Sequence, residues 1–194
     1  MRSSRNHFVS RDRLRSILNE AKAATVDFYL QRLSHAIASA TRGMTPEQLM
    51  RHAEGKWCTA EILEHLYLTY TGTVKGLERC LASGKPLATS ARLWHCLSTF
   101  AVTSLGYFPT GRKAPERATP RGLPGEKVLA EILPQIAAMD EILRRCEERY
   151  GAHIKLLDHP VLGPLNARQW RKFHWVHGRH HVKQIRRARG LIGM

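Results

Sequence analysis

The sequence predicts an all-α protein, a four-helix bundle with one long irregular connection, and three observations carry that expectation. Apolar residues recur at three- and four-residue steps through four long segments. Glycine, proline and capping residues fall between those segments, where helices start and stop. No pair of alternating apolar runs suggests two strands. Each amphipathic helix has one stripe to bury, and four of them can close around a shared core.

The first segment runs from Ser10 to about Ala40, where Leu14, Ile17, Leu18, Ala21, Ala24, Phe28, Leu30 and Leu33 keep the helical period. Gly43 ends it, and Thr45-Pro46-Glu47 reads as a short fresh start, with threonine as N-cap and proline at the first helical position. The second long helix starts at Trp57-Cys58-Thr59-Ala60-Glu61, continues through Ile62, Leu63, Leu66, Tyr70, Val74, Leu77 and Leu81, and stops at Ser83-Gly84. Residues 91–108 are apolar enough for a helix. Gly106, Pro109, Gly111, Pro115, Pro120, Pro124 and Gly125 then make the long irregular segment, a lid or wrapping loop before the third bundle helix. That helix spans Glu126 to Arg149, with Pro134 as a candidate kink. Gly151 closes it, the run His159 to Leu165 is rich in turn residues, and Asn166 can cap a last helix to about Arg189.

A chain of 194 residues fits one domain, expected over residues 1–194 with its core at about 10–190. A hydrophobic fraction of 43% and a charged fraction of 24% argue against a disordered chain. Charged residues or histidines interrupt every apolar run short of the roughly 20 residues a membrane span requires, so no membrane partner is expected. The basic N-terminus lacks the apolar stretch and cleavage site of a secretion signal, which makes a cytoplasmic location the expectation. Cys58, Cys80, Cys96 and Cys146 are widely spaced and form no C-x-x-C pair, as expected of reduced structural thiols. The net charge of +15 is concentrated at the ends, in Arg2, Arg5, Arg11, Arg13 and Arg15 and again from Arg168 to Arg189. Such an excess suits either a solvated helix face or an anionic partner.

The last helix carries the chemistry. His174, His177 and His181 fall within a sector of about 60° at 100° per residue, while His180 projects away from them. Neutral imidazoles one turn apart can reach a single divalent ion, with a third ligand supplied by another element and positions left open. The best distant candidate for that third ligand is His65, near the border of the apolar stripe of the second long helix. A charged imidazole is costly there, whereas a neutral, metal-bound one is not.

Two windows carry a family resemblance. Trp57-Cys58-Thr59-Ala60-Glu61-Ile62-Leu63-Glu64-His65-Leu66 resembles the Trp-Ser-x-x-Glu-x-x-x-His-Leu opening of the DinB-like superfamily, metalloenzymes that include bacillithiol and mycothiol transferases. His177-Gly178-Arg179-His180-His181-Val182-Lys183-Gln184 is similar to that superfamily's His-x-x-x-His-Arg-Gly-Gln segment. With His159-Pro160, Gly163-Pro164-Leu165 and Trp170 ahead of it, this stretch looks like that of a branch of unknown function. Cys58 stands in place of the superfamily's serine, and Val182-Lys183 in place of its Arg-Gly. The resemblance spans about residues 10–190 and implies an up-down-down-up bundle with a nickel or zinc ion held by His65, His177 and His181.

Three ligands leave room for a water or a thiol, which a divalent ion makes nucleophilic. The first expectation is therefore a metal-dependent enzyme acting on a small molecule, either a transferase of a low-molecular-weight thiol or a hydrolase. Glu61 and His174, each one turn from a proposed ligand, are the candidates for acid–base work, with Asp158 behind them. Their structural alternatives are a helix-capping carboxylate, a packed histidine and a turn residue. Trp57, Trp94, Trp170 and Trp175 can line a pocket or fill the core. A second reading is a nucleic-acid-binding module with a structural metal, although no helix-turn-helix or RNP-like motif supports it. A third is an inactive domain kept as an interaction partner or homodimer.

Overall fold

A computed structural model describes residues 26–107 and 113–190. The basic side chains Arg2 to Arg15, the helical spacing before Val26 and the stretch 108–112 lie outside the described residues. Among those described, six α-helices dominate: α1 (Phe28–Thr41), α2 (Pro46–Met50), α3 (Thr59–Ser83), α4 (Leu93–Thr103), α5 (Gly125–Tyr150) and α6 (Ala167–Gly190). A 3-10 turn, Glu116–Ala118, lies between α4 and α5, and a small hairpin of β1 (Leu157–His159) and β2 (Gly163–Leu165) precedes α6. No described helix is long and apolar enough to cross a membrane.

Most boundaries have a local cause that was readable as capping chemistry. Thr45 and Gln48 cap α2 reciprocally, each side chain accepting the other's backbone N–H, at 3.3 and 3.0 Å. Asn166 and Gln169 do the same for α6, at 2.9 and 3.1 Å. At the start of α3 the Glu61 carboxylate reaches back to the Cys58 N–H at 2.8 Å, and the Cys58 side chain is buried. Gly84 terminates α3 in the left-handed region, φ 72°, where a side chain would be strained. Pro134 does not interrupt α5. It sits on the exposed face, where water can satisfy the carbonyl its missing N–H leaves unpaired.

Two expectations are corrected and a third is narrowed. The expected continuous helix from Ser10 to Ala40 instead has a start at Phe28: Asp27 is non-helical, and its carboxylate accepts the Tyr29 N–H at 2.8 Å, a cap that outweighs the unbroken apolar period. The helix expected somewhere in residues 91–108 is confined to Leu93–Thr103. A strand pair does exist, with Leu157 opposite Leu165 and His159 opposite Gly163. Strands of three residues are too short for alternation to stand out.

The core forms along the predicted stripes. Leu30, Leu33 and Ile37 of α1, Leu63, Leu66, Tyr70 and Leu77 of α3, Ile132, Ile136, Met139 and Leu143 of α5, and Phe173, Val176 and Ile185 of α6 belong to one buried cluster. Each such side chain contributes about 1.5–3 kcal/mol on burial. α3 packs mainly on α5 and α1 mainly on α6, while α6 also meets α3, α4 and α5.

One basic residue of the C-terminal run departs from the solvated face assigned to it. Arg171 is 8% exposed, and its guanidinium donates to Asp140 and Glu147 of α5, both at 2.8 Å. The other carboxylate oxygen of Asp140 accepts the Asp27 N–H at 2.7 Å, so one buried ion pair joins α1, α5 and α6. Arg168, Arg179, Lys183, Arg186, Arg187 and Arg189 lie on the exposed side of α6.

Candidate metal centre

Two facing helices deliver three imidazoles to one point. His177 and His181 sit one turn apart on the inner face of α6, and His65 projects from the second turn of α3. All three are buried, with 5–7% of their surface exposed. The Nε2 atom of His177 lies 3.2 Å from that of His65 and 3.0 Å from that of His181. Helix period alone explains the α6 pair; the packing of α3 against α6 brings the third ring 112 residues away in sequence.

The opposite ring nitrogens fix the tautomers. His65 Nδ1 lies 2.7 Å from the Ala118 carbonyl, which can only accept, so Nδ1 carries the proton and Nε2 a lone pair. His181 Nδ1 is likewise 2.7 Å from Gln184 Oε1, one turn further along α6. Phe173 stacks on the His177 ring with an interplanar angle of 8° and a centroid distance of 5.4 Å. Trp57 leans on His65 at 5.3 Å. These contacts orient the rings as outer partners do around metal-bound histidines.

Burial is the largest influence on all three groups. It lowers His65 below its ordinary value and holds His181 at about 3. His177 is pushed well below the ordinary range, first by burial and then by the neighbouring imidazoles of His181 and His65. The rings are therefore neutral at physiological pH, the state in which imidazole binds metal.

The donor set fits a divalent ion. Two imidazole nitrogens bound to one ion at about 2.0–2.1 Å, and about 90–110° apart, stand about 2.8–3.4 Å from each other. The two short contacts here fall in that interval. With Nδ1 protonated on both His65 and His181, three Nε2 atoms share at most the single ring proton of His177. Converging lone pairs of this kind repel unless a cation lies among them. The three side chains offer one ligand atom each within 4.8 Å of one another.

The remaining sequence candidates are spread around this group. His174 is fully buried, stacked on Trp170 at 5.6 Å, and its Nε2 lies 3.1 Å from the Thr73 hydroxyl. That hydroxyl donates to the Thr69 carbonyl, so it accepts from His174. Burial, followed by the nearby His159, lowers His174 to about 3. Glu61 is half-buried at the start of α3 and serves as a cap, one turn before His65. Asp158 lies in β1 and accepts the Thr89 N–H at 3.1 Å, pinning the segment after α3 to the hairpin. Of the four tryptophans only Trp57 touches one of the three converging histidines: Trp170 packs on His174, Trp175 lies beneath Arg32, and Trp94 is 64% exposed. His180 is half-buried beside His181, with its ring 5.2 Å away.

Sequence reasoning missed three partners of the group. Ala118 acts through its carbonyl, which leaves no side-chain signal. Gln184 follows His181 by three residues, a spacing that places both on one helix face and could have been noticed. Glu64, beside His65, is 1% exposed and accepts the N–H groups of Arg121, Gly122 and Leu123 at 2.8, 3.0 and 3.0 Å. A buried glutamate cannot be told from an exposed one by spelling.

Fold and site thus define a helical protein with a buried three-histidine group able to hold a metal ion. The chain belongs to the DUF1569 family, described as proteins of unknown function, whose model matches residues 23–188 and so includes both histidine-bearing windows. No curated protein and no solved structure matches it.

Proposed function

We propose that the chain is a single DinB-like domain, an up-down-down-up four-helix bundle, that binds one zinc or nickel ion through His65, His177 and His181 and uses it in catalysis. The bundle order is supported by which residues meet. Tyr67 bonds Glu131 and Tyr150 bonds the Cys80 carbonyl, early with early and late with late, as parallel α3 and α5 require. Tyr29 lies by Lys172 and Arg189 bonds the Ala40 carbonyl, the same order for α1 and α6. His65 meets His177 while Thr73 meets His174, the reversed order expected between α3 and α6.

The observation that carries the metal reading is the convergence of three Nε2 atoms, two of which, on His65 and His181, have their lone pairs set by Ala118 and Gln184. A divalent ion bound there would supply Lewis acidity, enough to make a water or a small thiol nucleophilic near neutral pH. The protein's part is to keep the imidazoles neutral, fix their direction and restrict access. A hollow of about 400 Å³ is lined by His52, Gly55, Lys56, Trp57 and Glu61; Trp57, whose ring lies 5.3 Å from that of His65, links it to the histidine group, and it is the approach we assign to a small substrate. Glu61 borders it and is the candidate we favour for proton transfer; His174 is enclosed by Trp170, Tyr70 and Phe173.

Metal analysis of untagged protein tests the reading, with about one ion per chain expected in the parent and none in His177→Ala. Metal-free parent protein, still metal-free after incubation with zinc and nickel, would sink it. A panel of small thiols with an electrophilic acceptor, run beside an ester and amide panel, then separates transferase from hydrolase.

A further inference from the structure

Helix α4 is built inside out. It buries Thr99, Val102 and Thr103 and turns Leu93, Trp94, Leu97 and Phe100 to the surface at 79, 64, 58 and 58% exposure. Leu93, Leu97 and Phe100 lie within about 60° of one another, with Trp94 on their flank, so they form one stripe. Leu105 and Tyr107, 69 and 63% exposed, follow just beyond the helix end. Amphipathic helices normally present the opposite faces, and a contiguous apolar patch of this size marks an interaction site.

The inner face shows that this orientation is specified. Thr99 Oγ1 donates to the Leu162 carbonyl at 2.9 Å, and Arg179 reaches the Gly106 carbonyl at 3.2 Å just past the helix. The approach of His95 to Gly163 is close enough that a Cβ at Gly163 would collide with the imidazole, and Gly163 has φ +70°. Rotating α4 to bury its leucines would break these polar contacts. The stripe is thus held outward by the fold.

We infer that α4 is a dimerisation surface and that its occupant is a second copy of this chain. Area is the first argument. Taking about 150–250 Å² for each aromatic side chain and somewhat less for leucine, the exposed parts of these six residues total roughly 550–850 Å², the upper end of which matches the about 800 Å² contributed by each partner in a standard interface. Charge is the second. Residues 93–103 include no lysine, arginine, aspartate or glutamate, so two copies of a chain with net charge +15 can meet along this stripe without setting like charges opposite each other. The same feature disfavours a lipid surface, because interfacial helices pair an apolar face with a lysine- and arginine-rich one, and the second face of α4 is threonine packed on protein. A two-fold arrangement, stripe on stripe, closes the assembly at two chains.

Sedimentation of the full chain at micromolar concentration tests this, with Leu97→Glu and Phe100→Glu as variants. The expected result is a dimer of the 22.1 kDa chain that each substitution weakens at least about 100-fold with helical content unchanged. Both side chains are exposed, so folding does not depend on them. A monomeric parent overturns the inference, and so does a dimer that both variants retain. A monomer that co-sediments with phosphatidylserine vesicles reassigns the stripe to lipid. A monomer in which Trp94 is shielded from a soluble quencher until residues 1–25 are removed reassigns it to the chain's own N-terminal segment. Either result equally ends the dimer reading.

Discussion

His65 donates its Nδ1–H to the carbonyl of Ala118 at 2.7 Å, which ties a proposed ligand on α3 to a 3-10 turn 53 residues later. The turn is held from the adjacent position as well. Glu64 accepts three successive backbone N–H groups from Arg121 to Leu123, so two neighbouring side chains clamp one strap from opposite ends. The strap can set the direction of the His65 ring only while that clamp holds.

Glu64→Gln puts an amide NH₂ where N–H groups already point, leaving a buried donor without an acceptor. The expected cost is about 1–3 kcal/mol of folding stability, read as a lower urea midpoint. Loosening the carbonyl that orients His65 should also weaken cobalt or zinc binding about 10–100-fold, as loss of an outer partner does. Parent-like affinity in a folded Glu64→Gln protein would show that the strap does not orient the ligand.

Gly178 follows a proposed ligand at the contact between α6 and α1. A Cβ there would collide with Leu33 and lie 3.2 Å from the Tyr70 hydroxyl. Gly178→Ala gains up to about 1 kcal/mol of helix propensity but forces α1 and α6 apart, at about 1–3 kcal/mol or more. Net destabilisation is the expected outcome. Adding Leu33→Ala should recover part of the loss relative to the sum of the two single changes, a coupling measured by a double-mutant cycle. A Gly178→Ala protein more stable than its parent would refute the close-contact account.

Acid should destabilise the metal-free protein well above the carboxylate range. Burial holds His174 at about 3 and His159 at about 4, below the ordinary 6.5. Between those values the unfolded chain binds protons that the folded chain refuses, so stability is fully present above pH 6.5. It is lost as pH falls toward 4 and then 3. For His174 the loss reaches about 2 kcal/mol by pH 5, and half-buried His159 adds less. Urea midpoints at pH 7.5, 6 and 5 check the sign. Stability that stays flat or rises over that range would contradict neutral burial of His174.

Much of the architecture was legible along the chain because it rests on neighbours three or four residues apart. The Thr45 and Asn166 caps, the stop at Gly84 and the core stripes of α3 and α5 are local chemistry, and the sequence displays them directly. The same period put His177 and His181 side by side and turned His180 away. Asp27 shows the limit: a capping aspartate inside an otherwise unbroken apolar period starts α1, and the period alone gives no weight to one carboxylate.

By itself, then, the sequence determined the core stripes of the long helices and the pairing of His177 with His181, since each depends on spacing within a turn or two. Tertiary structure decided that His65 meets His177 across 112 residues, that Ala118 and Gln184 set the proton positions, that Arg171 is buried against Asp140 and Glu147, and that α4 faces outward. Those outcomes depend on which helix lies beside which, on backbone carbonyls that carry no residue identity, and on polar contacts strong enough to keep leucines in water.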